Sequence, residues 1–436
     1  MQPTETQTPI AGPDAAADQG DQPRTSRRRR WVRRAALIAV ATIAGLVIVG
    51  GSITVASPAT STVPATAAPY AADGRHAVGV TTLDAIEGLP QLTHWYPAVP
   101  STDGDHVTYD QRLLAGGPFS GLAVGFVDGA AVADAPVLDG PPQPLVVVAP
   151  GYGVAASSYG WLAEHLASYG FSVVVHEAKE TLASAMGDGL WQAAADRPAV
   201  LAATVTQLRD LARAGLATWD PERVAVLGHS IGGHAALAVG GARLDTVAFA
   251  ERCADGDEDA AWLCGVLDEH LDAIAARAGV AGDAMPLLVD DTDVDAVVSL
   301  AGDAYLFDAD GLAAMTTPVL AVGGLADTGT PWDLGAGMTA AHAGSGQRIA
   351  VGLEGAEHLV FTGRCDRFRR VTPLIPMDLC DDPDGDRTTR HDVIAHVTTA
   401  FLLDTLTDDA TAAAALTDPA PLPGTTITTT TGDTDA

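Results

Sequence analysis

The strongest constraint in this chain of 436 residues is a strand–turn–helix junction over residues 223–239. Arg223 to Leu227 (RVAVL) reads as a buried strand, Gly228-His229-Ser230-Ile231-Gly232 follows with no spacer, and small residues continue at helical spacing through Val239. A serine in such a junction occupies a strained turn. Strand and helix approach each other there only if the neighbours, Gly228 and Gly232, are small. A bare G-x-S-x-G is a weak signal, because Gly and Ser are common. Directly after a strand and opening a helix, it makes Ser230 a candidate nucleophile, with His229 part of the same elbow.

Around this junction apolar runs alternate with helical patterns. Pro144 to Ala149, Phe171 to Val175, Val294 to Leu300, Pro318 to Val322 and Arg348 to Leu353 read as short strands buried on both faces. Ser157 to Tyr169, Pro198 to Ala214 and His391 to Leu406 read as helices. Such alternation predicts an α/β fold with a mostly parallel central sheet and helices on both faces. Residues 76–130 read as antiparallel strands ahead of the first crossover. An acidic stretch over 249–290 interrupts the alternation as a small cap insertion.

A serine hydroxyl needs a base to take its proton, and the base needs an acid to orient it. The strand ending at Val322 runs into Gly323-Gly324-Leu325-Ala326-Asp327, and the strand at 348–353 into Glu354-Gly355-Ala356-Glu357-His358. Both turns fall at the carboxyl edge of parallel strands, where such sheets place their sites. His358 is the expected base and Asp327 the expected acid, with Asp303, after the preceding strand, as rival acid and Glu357 facing solvent. The expected oxyanion donors are the N–H of Ile231 and the N–H of Tyr152, in the loop Pro150-Gly151-Tyr152-Gly153.

The ends of the chain read differently. Seven arginines fall within residues 1–34, a predicted cytoplasmic basic tail, and Ala35 to Ala56 are 22 residues without a charge. About 20 apolar residues span a bilayer as a helix, and preceding arginines stay in the cytoplasm. Residues 35–56 are therefore an expected transmembrane signal-anchor. The domain beyond would be extracytoplasmic on the cell membrane, or secreted if Ala65-Thr66-Ala67 is cut. Residues 57–75 read as a linker, 76–406 as the folded domain and 407–436 as a disordered Thr/Asp-rich tail. Four cysteines allow three pairings. Two sequence-local bridges, Cys253 with Cys264 and Cys365 with Cys380, are the simplest outside the cytoplasm.

A formal charge of −31 argues against nucleic-acid binding. No cofactor is expected, since no glycine loop has phosphate- or dinucleotide-binding spacing. No metal site is expected either. Asp291, Asp293 and Asp295, like Asp382, Asp384 and Asp386, alternate as calcium ligands do, but solvated loops suit them better and structural calcium stays open.

On these residues the chain resembles the α/β-hydrolase superfamily, specifically secreted esterases grouped with dienelactone hydrolases and platelet-activating-factor acetylhydrolases. The resemblance rests on WYPA at 95–98, APGYG at 149–153, LASYGFSVVV at 166–175, DPERVAVLGHSIGG at 220–233, ADTGTP at 326–331 and GAEHLVFTGRC at 355–365. Residues 149–175 and the Asp327 turn are also similar to cutinase-type polyester hydrolases, though the insertion at 249–290 has no counterpart there. Nor is there the Trp which those enzymes place beyond the nucleophile; Tyr305 is the nearest aromatic. The resemblance implies a Ser230–His358–Asp327 triad, oxyanion amides at Tyr152 and Ile231, and a small-molecule or lipid-derived ester as substrate. A thioesterase or amidase using the same triad, or a non-catalytic cell-surface binding module on the same fold, are the alternatives.

Overall fold

A computed structural model describes residues 53–55, 61–64, 66–101, 104–112, 123–180, 189–277, 289, 292–369, 387–417 and 419–431. The strands are β1 (Ile53–Val55), β2 (Ala77–Thr82), β3 (Leu92–Ala98), β4 (His106–Arg112), β5 (Ala123–Ala133), β6 (Gln143–Ala149), β7 (Ser172–His176), β8 (Trp219–His229), β9 (Ala296–Leu300), β10 (Val319–Gly324), β11 (Gln347–Leu353), β12 (Arg367–Arg369) and β13 (Thr425–Thr431). The helices are α1 (Gly160–Ser168), α2 (Gly189–Arg213), α3 (Ile231–Val239), α4 (Thr246–Asp255), α5 (Ala261–Leu267), α6 (Leu271–Arg277), α7 (Asp308–Ala313), α8 (Ala336–His342), α9 (Arg387–Thr407) and α10 (Ala410–Thr417).

All the strands join one sheet, in the order β1-β12-β5-β2-β3-β7-β6-β8-β9-β10-β11-β13, with β4 on β5. From β7 through β11 every neighbouring pair is parallel. The expected antiparallel start is seen in β2 with β3 and β3 with β7, although β2 and β5 run parallel. Successive side chains of a strand face opposite ways, so each central strand feeds two cores. Leu145, Val147, Val224 and Val226 pack with α2, α3 and the insertion. Val146, Val148, Ala225 and Leu227 pack with α1, α9 and α10. The order reverses at β6, whose successors β7 and β8 flank it on either side. A crevice opens outside the carboxyl ends of strands at such a reversal, which puts the loop after β6 beside Ser230.

The insertion is a set of short helices, α4 to α6. It is not a separate lobe: Phe249, Leu263, Leu267 and Ile274 are buried in the same core as α2 and α3. Cys253 and Cys264 are bridged, with Cα atoms 5.5 Å apart. Cys365 is also disulfide-bonded, and Cys380 lies outside the described residues.

Several expectations need correction. Helix α2 begins nine residues before Pro198, which the sequence places at its start. Proline inside a helix cannot donate to the carbonyl four residues back. That carbonyl, of Ala194, instead accepts from His234 Nε2 on α3 at 3.0 Å. The tail expected to be disordered carries α10 and β13. The threonine tract pairs antiparallel with β11 from Thr425 opposite Leu353 to Thr431 opposite Gln347, since β-branched threonine suits a pleated edge. The expected linker also packs. Ala68 is buried, Thr62 N donates to Thr389 Oγ1 at 3.2 Å, and the Tyr70 ring stacks on His396. Of the expected anchor only Ile53–Val55 is described, and it is a strand paired with Arg367–Arg369, not the last turn of a helix. The rest of 35–56 lies outside the described residues, among which no helix is long and apolar enough to cross a membrane.

Candidate active site

Three loops meet at the carboxyl edge of the sheet, after β8, β10 and β11. Ser230 follows β8 with φ 57° and ψ −126°, a left-handed conformation that costs a non-glycine residue energy. The strain is held in place by close packing. A Cβ on Gly228 would strike the Gly232 carbonyl, and one on Gly232 would strike the Ala149 carbonyl. Ser230 N donates to Leu300 O at 3.0 Å, and its carbonyl accepts from His234 N at the start of α3.

The Ser230 hydroxyl lies 2.9 Å from His358 Nε2, and His358 Nδ1 lies 2.8 Å from Asp327 Oδ2. Asp327 is therefore joined to Ser230 through one imidazole. Its other oxygen, Oδ1, accepts from Gly329 N at 2.7 Å and Thr330 N at 2.9 Å. The Asp327 side chain is fully shielded from solvent, whereas that of His358 is a quarter exposed. Burial pushes the His358 pKa down, but the charge and hydrogen bond of Asp327, with smaller contributions from Asp303 and Glu357, outweigh it. The net effect is a base above its ordinary 6.5. Glu357, expected to face solvent, is half-buried.

Asp303 does not touch His358 through any hydrogen bond the structure shows. It accepts from the Thr330 hydroxyl and sits buried, and burial pushes its carboxyl up to about 6 against the Thr330 bond and the His358 charge. Tyr305 is fully buried against Phe249 of the insertion, with ring centroids 5.4 Å apart. Asp295 accepts from Val224 N at 2.7 Å, which ties it to the start of the buried part of β8. Asp291, Asp382, Asp384 and Asp386 lie outside the described residues.

Ile231 is fully buried at the first position of α3, and Tyr152 packs half-buried in the loop after β6. His229 does more than shape the elbow. Gly151 N–H donates to the Tyr159 hydroxyl at 2.8 Å, which lies 2.7 Å from His229 Nδ1, and His229 Nε2 lies 3.0 Å from the His358 carbonyl. A carbonyl only accepts, so Nε2 carries the proton and Nδ1 takes the Tyr159 hydroxyl proton in hydrogen bonding. Burial and the nearby His358 charge hold His229 neutral, well below its ordinary range. One buried chain of bonds thus links the loop after β6, the elbow and the loop of the base.

Tyr159 and Arg197 bond that first loop directly and Glu180 braces Arg197, although none of the three belongs to a sequence motif. Arg197 was legible in one respect. It stands four, eight and eleven residues before Leu201, Val205 and Leu208, so a charge falls on the buried stripe of α2.

Residues 121–260 match a family model described as PETase: PET hydrolase-like. The match takes in the loop after β6 and Ser230 and ends before the strands that carry Asp327 and His358. No curated protein matches the chain. The match indicates carboxylic-ester hydrolysis in general, and with the parallel α/β sheet it bears out the likeness to the α/β-hydrolase superfamily: the chain is similar, over its nucleophile-bearing third, to polyester hydrolases of that type.

Proposed function

We propose that the protein is an extracytoplasmic serine hydrolase that cleaves carboxylic esters through an acyl-enzyme. The observation that carries this reading is the unbroken hydrogen-bonded line Ser230–His358–Asp327, with Ser230 in a strained turn. Ser230 Oγ attacks the acyl carbonyl as its proton passes to His358 Nε2. Asp327 holds the imidazole with Nδ1–H towards itself and stabilises the imidazolium. The N–H groups of Ile231 and Tyr152 take the developing oxyanion. Collapse of the tetrahedral intermediate breaks the bond to the alcohol, which leaves with the proton from Nε2. Water then enters, gives its proton to His358, and releases the acid by the same steps in reverse.

Placement outside the cytoplasm is supported by the arginine cluster ahead of the uncharged run at 35–56 and by the Cys253–Cys264 bridge. A short-acyl or lipid-derived ester is the proposed substrate. A fluorophosphonate probe tests the chemistry: it should label the wild type and not Ser230→Ala, and an unlabelled folded wild type would instead support a binding module. Para-nitrophenyl esters of increasing acyl length, run beside a thioester and an anilide, separate an esterase from a thioesterase or amidase.

A further inference from the structure

Arg197 is a buried cation with four grips. Its Nε and Nη2 bind the two carboxylate oxygens of Glu180 at 2.9 and 2.8 Å. Its Nη1 donates to the Pro150 carbonyl, and Nη2 also reaches the Gly151 carbonyl at 3.4 Å. Only 3 % of the residue is exposed. Burial opposes the charge of Glu180, yet the guanidinium beside it holds the carboxyl below its usual range.

Stability is a poor account of this pair. Taking two charges out of water costs about as much as their attraction returns, and apolar replacements of equal volume are often as stable or more so. What apolar packing cannot do is hold two successive carbonyl oxygens. Those carbonyls belong to the turn that carries Tyr152, with Gly151 before it and Gly153, at φ 67°, after it. Glycines give that turn little stiffness of its own. Three contacts set its position: the Val154 N–H closes the turn on the Gly151 carbonyl at 3.3 Å, Tyr159 takes the Gly151 N–H from one side, and Arg197 takes the Pro150 and Gly151 carbonyls from another. Arg197 is itself anchored, because His234 bonds the Ala194 carbonyl freed by Pro198 and so ties α2 to the helix that starts at the elbow.

The peptide bond between Gly151 and Tyr152 is trans. In a trans peptide the carbonyl of one residue and the N–H of the next point to opposite sides of the chain. Drawing the Gly151 carbonyl towards α2 therefore turns the Tyr152 N–H away from α2. We propose that Arg197, braced by Glu180, is a positioning residue whose hold on the Pro150 and Gly151 carbonyls aims the Tyr152 N–H as an oxyanion donor. The proposal rests on the serine-hydrolase reading above.

A pair of substrates isolates this role: a para-nitrophenyl ester and its thiono analogue, in which sulfur replaces the carbonyl oxygen. Sulfur accepts hydrogen bonds weakly, so an aimed N–H assists the oxygen ester far more. In Arg197→Met, kcat on the oxygen ester should fall about 10- to 100-fold, the cost of misplacing one donor. KM should hold, and the thiono rate should change little, so the oxygen-to-sulfur ratio drops. Arg197→Lys, which keeps the charge but not the fork, should recover part of the ratio. Arg197→Met leaves Glu180 without its counter-ion, so the double variant Arg197→Met/Glu180→Leu supplies an apolar pair that keeps the fold and should show the same drop. Equal losses on both substrates would mean a merely structural arginine, and no loss on the oxygen ester would overturn the proposal outright. A wild type with no turnover that Ser230→Ala abolishes would sink the hydrolase reading and this one together.

Discussion

Two neighbouring parallel strands, β9 and β10, each end in a buried aspartate at the same edge of the sheet. Asp303 follows β9 and Asp327 follows β10. Thr330 serves both, giving its N–H to Asp327 and its hydroxyl to Asp303. The difference lies in what else each carboxyl receives. Asp327 takes two main-chain N–H groups on one oxygen and the imidazole on the other. Asp303 is left with the hydroxyl as its principal bond, and burial drives it towards the neutral form at about 6. An acid that must orient an imidazole needs one oxygen aimed at the ring and the rest of its carboxyl held still. The turn after β10 is built for that and the turn after β9 is not, although in sequence both are a glycine, an aspartate and small neighbours.

The comparison breaks most sharply on Asp327→Asn. It should lower kcat on a para-nitrophenyl ester by about 10⁴-fold, since the amide favours the wrong imidazole tautomer, whereas Asp303→Asn should retain most of the wild-type rate. If the two losses were reversed, Asp303 would be the acid. Thr330→Val comes next. It removes the hydroxyl from Asp303 but keeps the N–H on Asp327, and an underserved buried carboxyl costs about 1–3 kcal/mol. Urea unfolding should show that loss while the rate falls by less than about tenfold.

The pH profile sharpens the contrast further. His358 must be neutral to act as a base and its pKa is raised, so kcat/KM should fall with decreasing pH through a midpoint above 6.5. Because the Asp303 charge helps to raise it, Asp303→Asn should move that midpoint down. The smallest effect is on stability. The folded pKa of Asp303 lies above its ordinary 3.8, so the folded state binds the extra proton between about 4 and about 6. That contribution is full below the lower value and is lost as pH rises through the upper one. Asp303→Asn lacks this loss, so its unfolding free energy relative to wild type should improve from pH 4 to pH 7.

The proposed triad of Ser230, Asp327 and His358 was legible because each member follows a strand with a recognisable pattern, and chain order suggests the roles. The choice between Asp303 and Asp327 was legible only in part, since the deciding donors are backbone N–H groups that any sequence possesses. Tyr159 and Glu180 were invisible because their partners lie elsewhere along the chain, a main-chain N–H and the His229 ring for one and Arg197 for the other. The helix start was misjudged at Pro198 because a proline inside a helix needs an outside donor for the carbonyl it frees, and His234, on another helix, supplies it. The threonine tail misled for a related reason. Its composition suits solvent, and only a partner, β11, turns its β-branched residues into a strand.

That last pairing has a practical meaning. The strand that leads to His358 would, without Thr425–Thr431, present a bare row of amides and carbonyls to any neighbouring chain. A protein shortened to remove what resembles a dispensable appendage would keep Ser230, Asp327 and His358 and gain a sticky flank, so loss of yield in such a truncation would report self-association before it reported anything about chemistry.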